Sequence, residues 1–298
     1  RPPQPPIYLF LIDVTITSVN SGLLDVICST IKKLLPTNED VANSNDASTN
    51  NDTNNSGSSS SSTKKTFDSR TLIGIITFDS TIHLYNLNSN LKQTQMMVVP
   101  DIQDIFIPIP DDILVNVYEC QKMIESLLDN LPAMWRNNKI SDCCAGNALK
   151  AAFLALKKTG GKILLFLSSV PNIGDLTVSL NRETKEKGKY KNLYNSNNSS
   201  NLVDSKIKEM QLLNPHNNSY AELAQTITQY QISVDLFACP VNNIDLATIY
   251  PLIKNSGGSL YYYPQFNVQQ YNEKLREELL FTLTTETAWE SVMRIRIS

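Results

Sequence analysis

Ile7-Tyr8-Leu9-Phe10-Leu11-Ile12 is an unbroken apolar run that ends at Asp13. A run of this kind predicts a strand buried on both faces, the usual condition in a parallel sheet. Leu72–Phe78 and Lys162–Ser168 also predict buried strands, and Ile232–Ala238 is a further strand. Thr81–Tyr85 alternates apolar and polar positions and predicts a strand nearer the edge, with Asp79-Ser80 as the turn before it. Leu260–Tyr263 is a further short strand. Between these runs the apolar spacing changes to the helical period. Helices are expected at about 22–35, where Pro36 ends the first, and at about 115–131, 146–158, 219–230, 246–255 and 268–284. The stretch from Met96 to Pro110 is apolar but interrupted by Pro100, Pro108 and Pro110. It is expected to be irregular and packed, with extended pieces.

Two tracts interrupt this alternation. Residues 37–66 are almost wholly Asn, Ser, Thr and Asp, and residues 181–201 combine a basic segment with Asn and Ser. Neither carries enough apolar surface to offset the entropy of ordering it, so both are expected to be disordered insertions. The remaining strands and helices alternate, apart from one early hairpin-like pair. That order predicts an α/β fold, an open and mostly parallel sheet with helices on both faces. One domain is expected over 1–285. Residues 286–298 would form a strand leading into a following domain, because Met293-Arg294-Ile295-Arg296-Ile297 is strand-like and needs a neighbour for its backbone groups.

Composition narrows the chemistry. The chain has 298 residues, 41% of them hydrophobic and 18% charged, with a net charge of −3. No basic footprint points to nucleic acid. Five cysteines without a CxxC spacing argue against both a disulfide framework and a zinc site. No apolar run approaches the length of a membrane span.

Candidate chemistry is sparse. Asp13, Thr15 and Thr17 follow the first strand, and three oxygens on one loop suit either a hard cation or a helix cap. A cation needs further ligands from other loops. Those loops offer Asp142-Cys143-Cys144 and Ser168-Ser169, with a thiol where a hard ligand is wanted and no second carboxylate. No metal is expected, and Asp142 is the one residue that could complete a site. The two histidines, His83 and His216, make no nucleophile–base pair with any residue in view. Arg294 and Arg296 lie two apart and share a face in a strand. Paired guanidiniums call for an anion between them, either an acidic neighbour such as Glu286 or Glu290 or an acidic ligand.

Several segments carry a resemblance. Arg1-Pro2-Pro3, Phe10-Leu11-Ile12-Asp13-Val14, Ile75-Ile76-Thr77-Phe78-Asp79-Ser80-Thr81-Ile82-His83 and Met96-Met97-Val98-Val99 do so in the first third. Asp104-Ile105-Phe106, Pro110-Asp111-Asp112-Ile113-Leu114-Val115-Asn116, Tyr261-Tyr262-Tyr263-Pro264, Thr285–Glu290 and Met293–Arg296 continue it. Together they resemble the trunk domain, of von Willebrand factor A type, of the cargo-adaptor family of the COPII coat. The resemblance implies a non-enzymatic adaptor, peripheral on the cytosolic face of the endoplasmic reticulum, that helps select cargo for vesicles bound for the Golgi. It implies pairing of trunks with the GTPase-activating coat subunit, recruitment by a Sar-type small GTPase, and pockets for export signals on cargo and SNARE proteins. Zinc is implied only in a preceding zinc-finger domain, and a β-sandwich is implied after residue 285. The family's pocket for acidic Asp-x-Glu signals has a basic wall similar to Arg294 and Arg296, with Tyr85 beside them. A metal-dependent A-type adhesion module and the sister GTPase-activating subunit are the alternative readings.

Overall fold

The computed structural model describes residues 4–36, 66–178, 213–288 and 293–297. The tracts at 37–66 and 181–201 lie outside the described residues, apart from Thr66.

Eight strands form one sheet: β1 (Ile7–Asp13), β2 (Leu72–Phe78), β3 (Ile82–Asn86), β4 (Gln95–Val99), β5 (Val115–Asn116), β6 (Gly161–Leu167), β7 (Ile232–Ala238) and β8 (Leu260–Tyr262). Their order across the sheet is β4-β3-β2-β1-β6-β7-β8, with β5 paired to the start of β2. The central pairings β2/β1, β1/β6, β6/β7 and β7/β8 are parallel. The hairpin β2/β3 and the pair β3/β4 are antiparallel. This is the mostly parallel α/β sheet that the alternating pattern predicts.

The continuous apolar runs are explained by burial on both faces. In β1, Tyr8, Phe10 and Ile12 join one core cluster, whereas Ile7, Leu9 and Leu11 join the other. Helices α2 (Leu23–Leu34), α3 (Gln121–Trp135) and α7 (Val268–Thr284) supply the first cluster through residues such as Ile27, Leu128 and Leu279. Helices α4 (Ala145–Leu156), α5 (Ser219–Thr228) and α6 (Leu246–Ser256) supply the second through Ala148, Ala224 and Leu252. Period-two alternation therefore sends each strand's side chains into two separate cores. One charged pair lies within this frame. Asp235 of β7 is buried, and its carboxylate meets the Lys162 ammonium of β6 at 2.6 Å.

Three expectations are corrected. A short helix α1 (Ile16–Ser21) precedes the first expected one, and Gly22 at φ 73° both ends α1 and begins α2. Glycine adopts that left-handed turn without strain, so the helix expected at about 22–35 forms as α2 and a separate short helix stands before it. The helix expected from 115 begins at Gln121, because Val115 and Asn116 pair with Ile73 and Leu72 instead. The extended piece at the start of the stretch after Met96, Gln95–Val99, forms β4 and occupies the sheet edge, so that β3, expected nearer the edge, lies one strand inside it.

Candidate functional site at the carboxyl ends of the strands

Strands β1 and β6 are neighbours whose connections leave in opposite directions, β1 toward β2 and β6 toward β7. The crevice beyond such a pair is where open α/β sheets bind ligands. Asp13 ends β1 there, fully buried. Its Oδ1 accepts from the Thr15 N–H at 2.8 Å. Its Oδ2 accepts from the Ser168 N–H at 3.0 Å, the Ser168 hydroxyl at 2.7 Å and the Ser169 N–H at 3.0 Å. Thr15 Oγ1 and Ser169 Oγ are themselves joined at 2.6 Å. The carboxylate therefore clasps the β6 loop to the β1 loop.

These residues do not fit a resident divalent cation. Asp13 Oδ2 already receives three donors and Oδ1 one, which uses most of the carboxylate's acceptor capacity. Ser168 spends its hydroxyl proton on the same carboxylate. Cys143 lies nearby, fully buried, where a hydroxyl or carboxylate would be wanted. Burial, then the negative charge of Asp13, push the Cys143 thiol well above its ordinary range. Asp142 is exposed and is held by the Asn172 amide at 2.9 Å. Among the described residues, no group of three or more His, Cys, Asp or Glu is arranged to hold a metal. Beside this clasp lies a cleft of about 230 Å³ lined by Thr17, Ser141, Ser169, Asn172, Asn242 and Asn243, without a charged wall.

A second buried carboxylate, Asp79, follows β2 and repeats the device. Its Oδ1 accepts from the Thr81 N–H at 2.9 Å, and its Oδ2 accepts from the Asn138 amide at 3.0 Å. Asn138 also donates to the Val14 carbonyl at 2.8 Å. Asp79 thus joins the β2 loop to the β1 loop through the segment after α3. The sequence carries the signal in a second Asp-x-Thr after a buried strand, at residues 79–81, which overlaps the turn expected there.

His83 is buried with a ring centroid 4.5 Å from that of Trp135. Nε2 is 2.9 Å from Thr81 Oγ1, and Nδ1 is 3.2 Å from Thr77 Oγ1. Burial holds its pKa below the ordinary 6.5, against the opposing pull of Asp79. Both ring nitrogens are engaged in the β2–β3 hairpin, so His83 braces structure.

Tyr85 stands on β3, one strand inside the sheet edge. Its side chain is fully buried, Oη lies 2.9 Å from Thr77 Oγ1, and the Trp135 indole donates to it at 3.3 Å. Burial pushes its pKa up to about 12. The position of β3 inside β4 accounts for this, since the edge strand and Trp135 shut the ring away from solvent. Arg294 and Arg296 are exposed, on a segment, 293–297, that pairs with no strand among the described residues. The structure gives no contact between Tyr85 and either arginine.

With this architecture in view, comparison with known proteins becomes informative. The family model described as the Sec23/Sec24 trunk domain matches residues 3–283. The chain belongs to the Sec23/Sec24 trunk domain family. "Protein transport protein SEC24 A" of Arabidopsis thaliana is 39% identical over 99% of this chain and 24% of its own length. "Protein transport protein Sec24B" of Homo sapiens is 35% identical over 99% of this chain and 20% of its own length. The solved structure of the human COPII-coat protein Sec24c superimposes with a TM-score of 0.72 at 27% identity, covering 95% of this chain and 32% of that one. The chain therefore spans about a quarter of the length of the curated Sec24 relatives it matches, and the family model places it in the trunk domain.

Proposed function

We propose that this trunk works in the COPII coat as part of a cargo-selecting, non-enzymatic adaptor of the Sec24 type. The observation that carries the reading is the similarity to Sec24 proteins over 99% of the chain. In this reading the trunk pairs with the trunk of the GTPase-activating coat subunit. A Sar-type GTPase recruits the pair to the cytosolic face of the endoplasmic reticulum, and short export signals on cargo and SNARE proteins bind the adaptor. The next domain takes over after about residue 285, and Arg294 and Arg296 help receive acidic signals. Tyr85 contributes by holding the hairpin rather than by touching a peptide, since its ring is buried.

The chemistry of the site supports an adaptor over a catalyst. Asp13 and Asp79 are spent on joining loops, His83 is walled in, and burial pushes the Cys143 and Cys144 thiols up, Cys144 to about 12. None of these groups combines a nucleophile with an available base. No described helix is long and apolar enough to cross a membrane, which suits attachment through partners.

The test is affinity isolation of the full-length protein, tagged outside the trunk, followed by identification of what is bound at stoichiometric level. The expected result is one GTPase-activating coat subunit per adaptor. Recovery of the protein without that subunit, from cells that contain it, would refute the reading.

A further inference from the structure

A further cleft opens at the other end of the sheet from the Asp13 clasp, where β1 and β2 begin and α7 ends. Its volume is about 360 Å³, and its lining includes Tyr8, Phe67, Asp68, Thr285, Glu286 and Thr287. Ligand clefts ordinarily measure roughly 300–1,000 Å³. The cleft beside Asp13 has no charged wall, whereas this one carries two carboxylates and, among the described residues, no Lys, Arg or His lines it.

Its neighbours set both its charge and its hydrogen-bonding sense. The Arg70 backbone N–H donates to Asp68 Oδ1 at 3.1 Å and holds the Asp68 carboxyl below its ordinary range, so the group is ionised. The Arg70 guanidinium comes no nearer than 3.5 Å to Oδ2, and both side chains are about half exposed, so that pair is loose and screened. Glu286 is exposed at the rim. α7 is 17 residues long and has no basic residue in its last turn, which leaves the negative end of its dipole uncompensated at the cleft. Thr285 donates its hydroxyl proton to the Phe281 carbonyl at 2.6 Å, and Thr287 donates its own to the Thr285 carbonyl at 3.1 Å. What these two hydroxyls offer a ligand is therefore lone pairs. Tyr8 and Phe67, with ring centroids 6.1 Å apart, add an aromatic wall.

A cleft that is anionic, rich in acceptors and walled by aromatic rings selects a cationic donor with a flat face. A guanidinium has five N–H donors, no acceptor and a permanent charge, and it stacks on aromatic rings. An ammonium matches the charge but lacks the planar face.

We infer that this cleft is a recognition site for the arginine side chain of a short basic peptide segment in a partner protein. The inference rests on the adaptor reading above for the kind of partner. It adds a second place and a charge class opposite to that of the acidic signals assigned to Arg294 and Arg296. The test uses the full-length adaptor and three capped, fluorescently labelled peptides of the form Gly-Ser-X-Ser-Gly, with arginine, lysine or glutamine at the centre. The arginine peptide should bind saturably and about tenfold or more tighter than the glutamine peptide, with the lysine peptide between them. Its affinity should fall as salt rises. D68N/E286Q should bring the arginine peptide down to the level of the glutamine peptide, yet still recover the GTPase-activating coat subunit in affinity isolation. T285V should weaken the arginine peptide as well, since it removes an acceptor. Equal affinities of D68N/E286Q and wild type for the arginine peptide would overturn the site. Equal affinities of the arginine and lysine peptides would reduce the cleft to charge attraction and overturn the assignment to arginine. A wild-type adaptor that recovers the coat subunit but does not bind the arginine peptide would overturn the site and leave the adaptor reading intact. Recovery of the adaptor without the coat subunit would instead refute the adaptor reading, and the partner assigned to this cleft with it.

Discussion

At the scale of single residues, the buried groups act through the hydrogen bonds they complete. Asp13 accepts four, three of them from backbone N–H groups. Removing the carboxylate strands these donors in a dry site, where each charge-assisted bond is worth about 1.5–3 kcal/mol and the losses overlap. Asp13→Ala should therefore lose about 3–5 kcal/mol in urea unfolding, the range for breaking a buried charged group from its partners. Millimolar Mg²⁺ should leave the wild-type melting temperature unchanged, because no metal is required to hold the loops together. A rise in melting temperature with Mg²⁺, abolished in the Asp13 variant, would contradict this. His83 sets a different dependence. Its folded pKa lies below the ordinary 6.5, so below that pH the unfolded chain binds a proton that the folded chain resists. Its contribution is fully present above about pH 6.5 and falls as pH drops toward the depressed value, with a slope of at most about 1.4 kcal/mol per pH unit. Equilibrium unfolding across pH 5–8 should show this loss, and His83→Gln should reduce the slope. That Asp13 mattered was visible from its position after an apolar run. Which oxygens it would serve was not, because Ser168 and Ser169 lie 155 and 156 residues away in sequence.

At the scale of elements, close approach fixes how the helices meet the loops. Gly146 stands in the first turn of α4, and a Cβ built there would lie 2.0 Å from the Asp175 carbonyl oxygen. Asn147 beside it accepts the Asp175 N–H at 2.8 Å and donates to the Ile102 carbonyl at 2.6 Å, and Lys150 pairs with Asp175. α4 is thereby fastened to two loops through one glycine and its neighbours. Gly146→Ala gains helix propensity of about 1 kcal/mol but must displace backbone, and overpacking of this kind costs about 1–3 kcal/mol or more. The variant should be less stable than wild type in chemical denaturation, against the sign that propensity alone gives. This contrast also explains what the pattern could tell. Continuous apolar runs and helical spacing located the six main strands and the later helices to within a few residues, because burial on one or two faces leaves a periodic trace. β4 and β5 left no such trace. Gln95–Val99 is half exposed at the edge and Val115–Asn116 is two residues long, so their pairing is decided by β3 and β2 rather than by their own composition. The helix expected from 115 begins late, at Gln121, for the same reason.

At the scale of the whole molecule, Asp13 and Asp79 are engaged in joining loops, and in the adaptor role proposed above recognition would fall to the surfaces. The segment 293–297 is the part of that surface with the clearest charge pattern. Met293, Ile295 and Ile297 are 83%, 74% and 91% exposed, and Arg294 and Arg296 alternate with them. In an extended chain the two guanidiniums point to one side, within reach of two carboxylates of a peptide such as Asp-x-Glu, whose acidic side chains are also two apart. Resemblance drew attention to these arginines and to Tyr85 together. Solvent exposure separates them, since a residue's burial depends on strands that its own neighbourhood in sequence does not reveal. In the full-length adaptor, R294A/R296A should weaken an Asp-x-Glu peptide by about tenfold or more, which corresponds to about 1.4 kcal/mol. R294K/R296K should weaken it as well, because the charge remains while the planar fork that grips a carboxylate is lost. The wild-type affinity should fall as salt rises, and the double Ala variant should show less of that dependence. Tyr85→Phe should lower stability through the lost Thr77 and Trp135 contacts and leave peptide affinity unchanged. A Tyr85→Phe variant that folds as stably as wild type yet binds the peptide more weakly would return Tyr85 to the recognition site. Double arginine variants with wild-type peptide affinity would remove Arg294 and Arg296 from it.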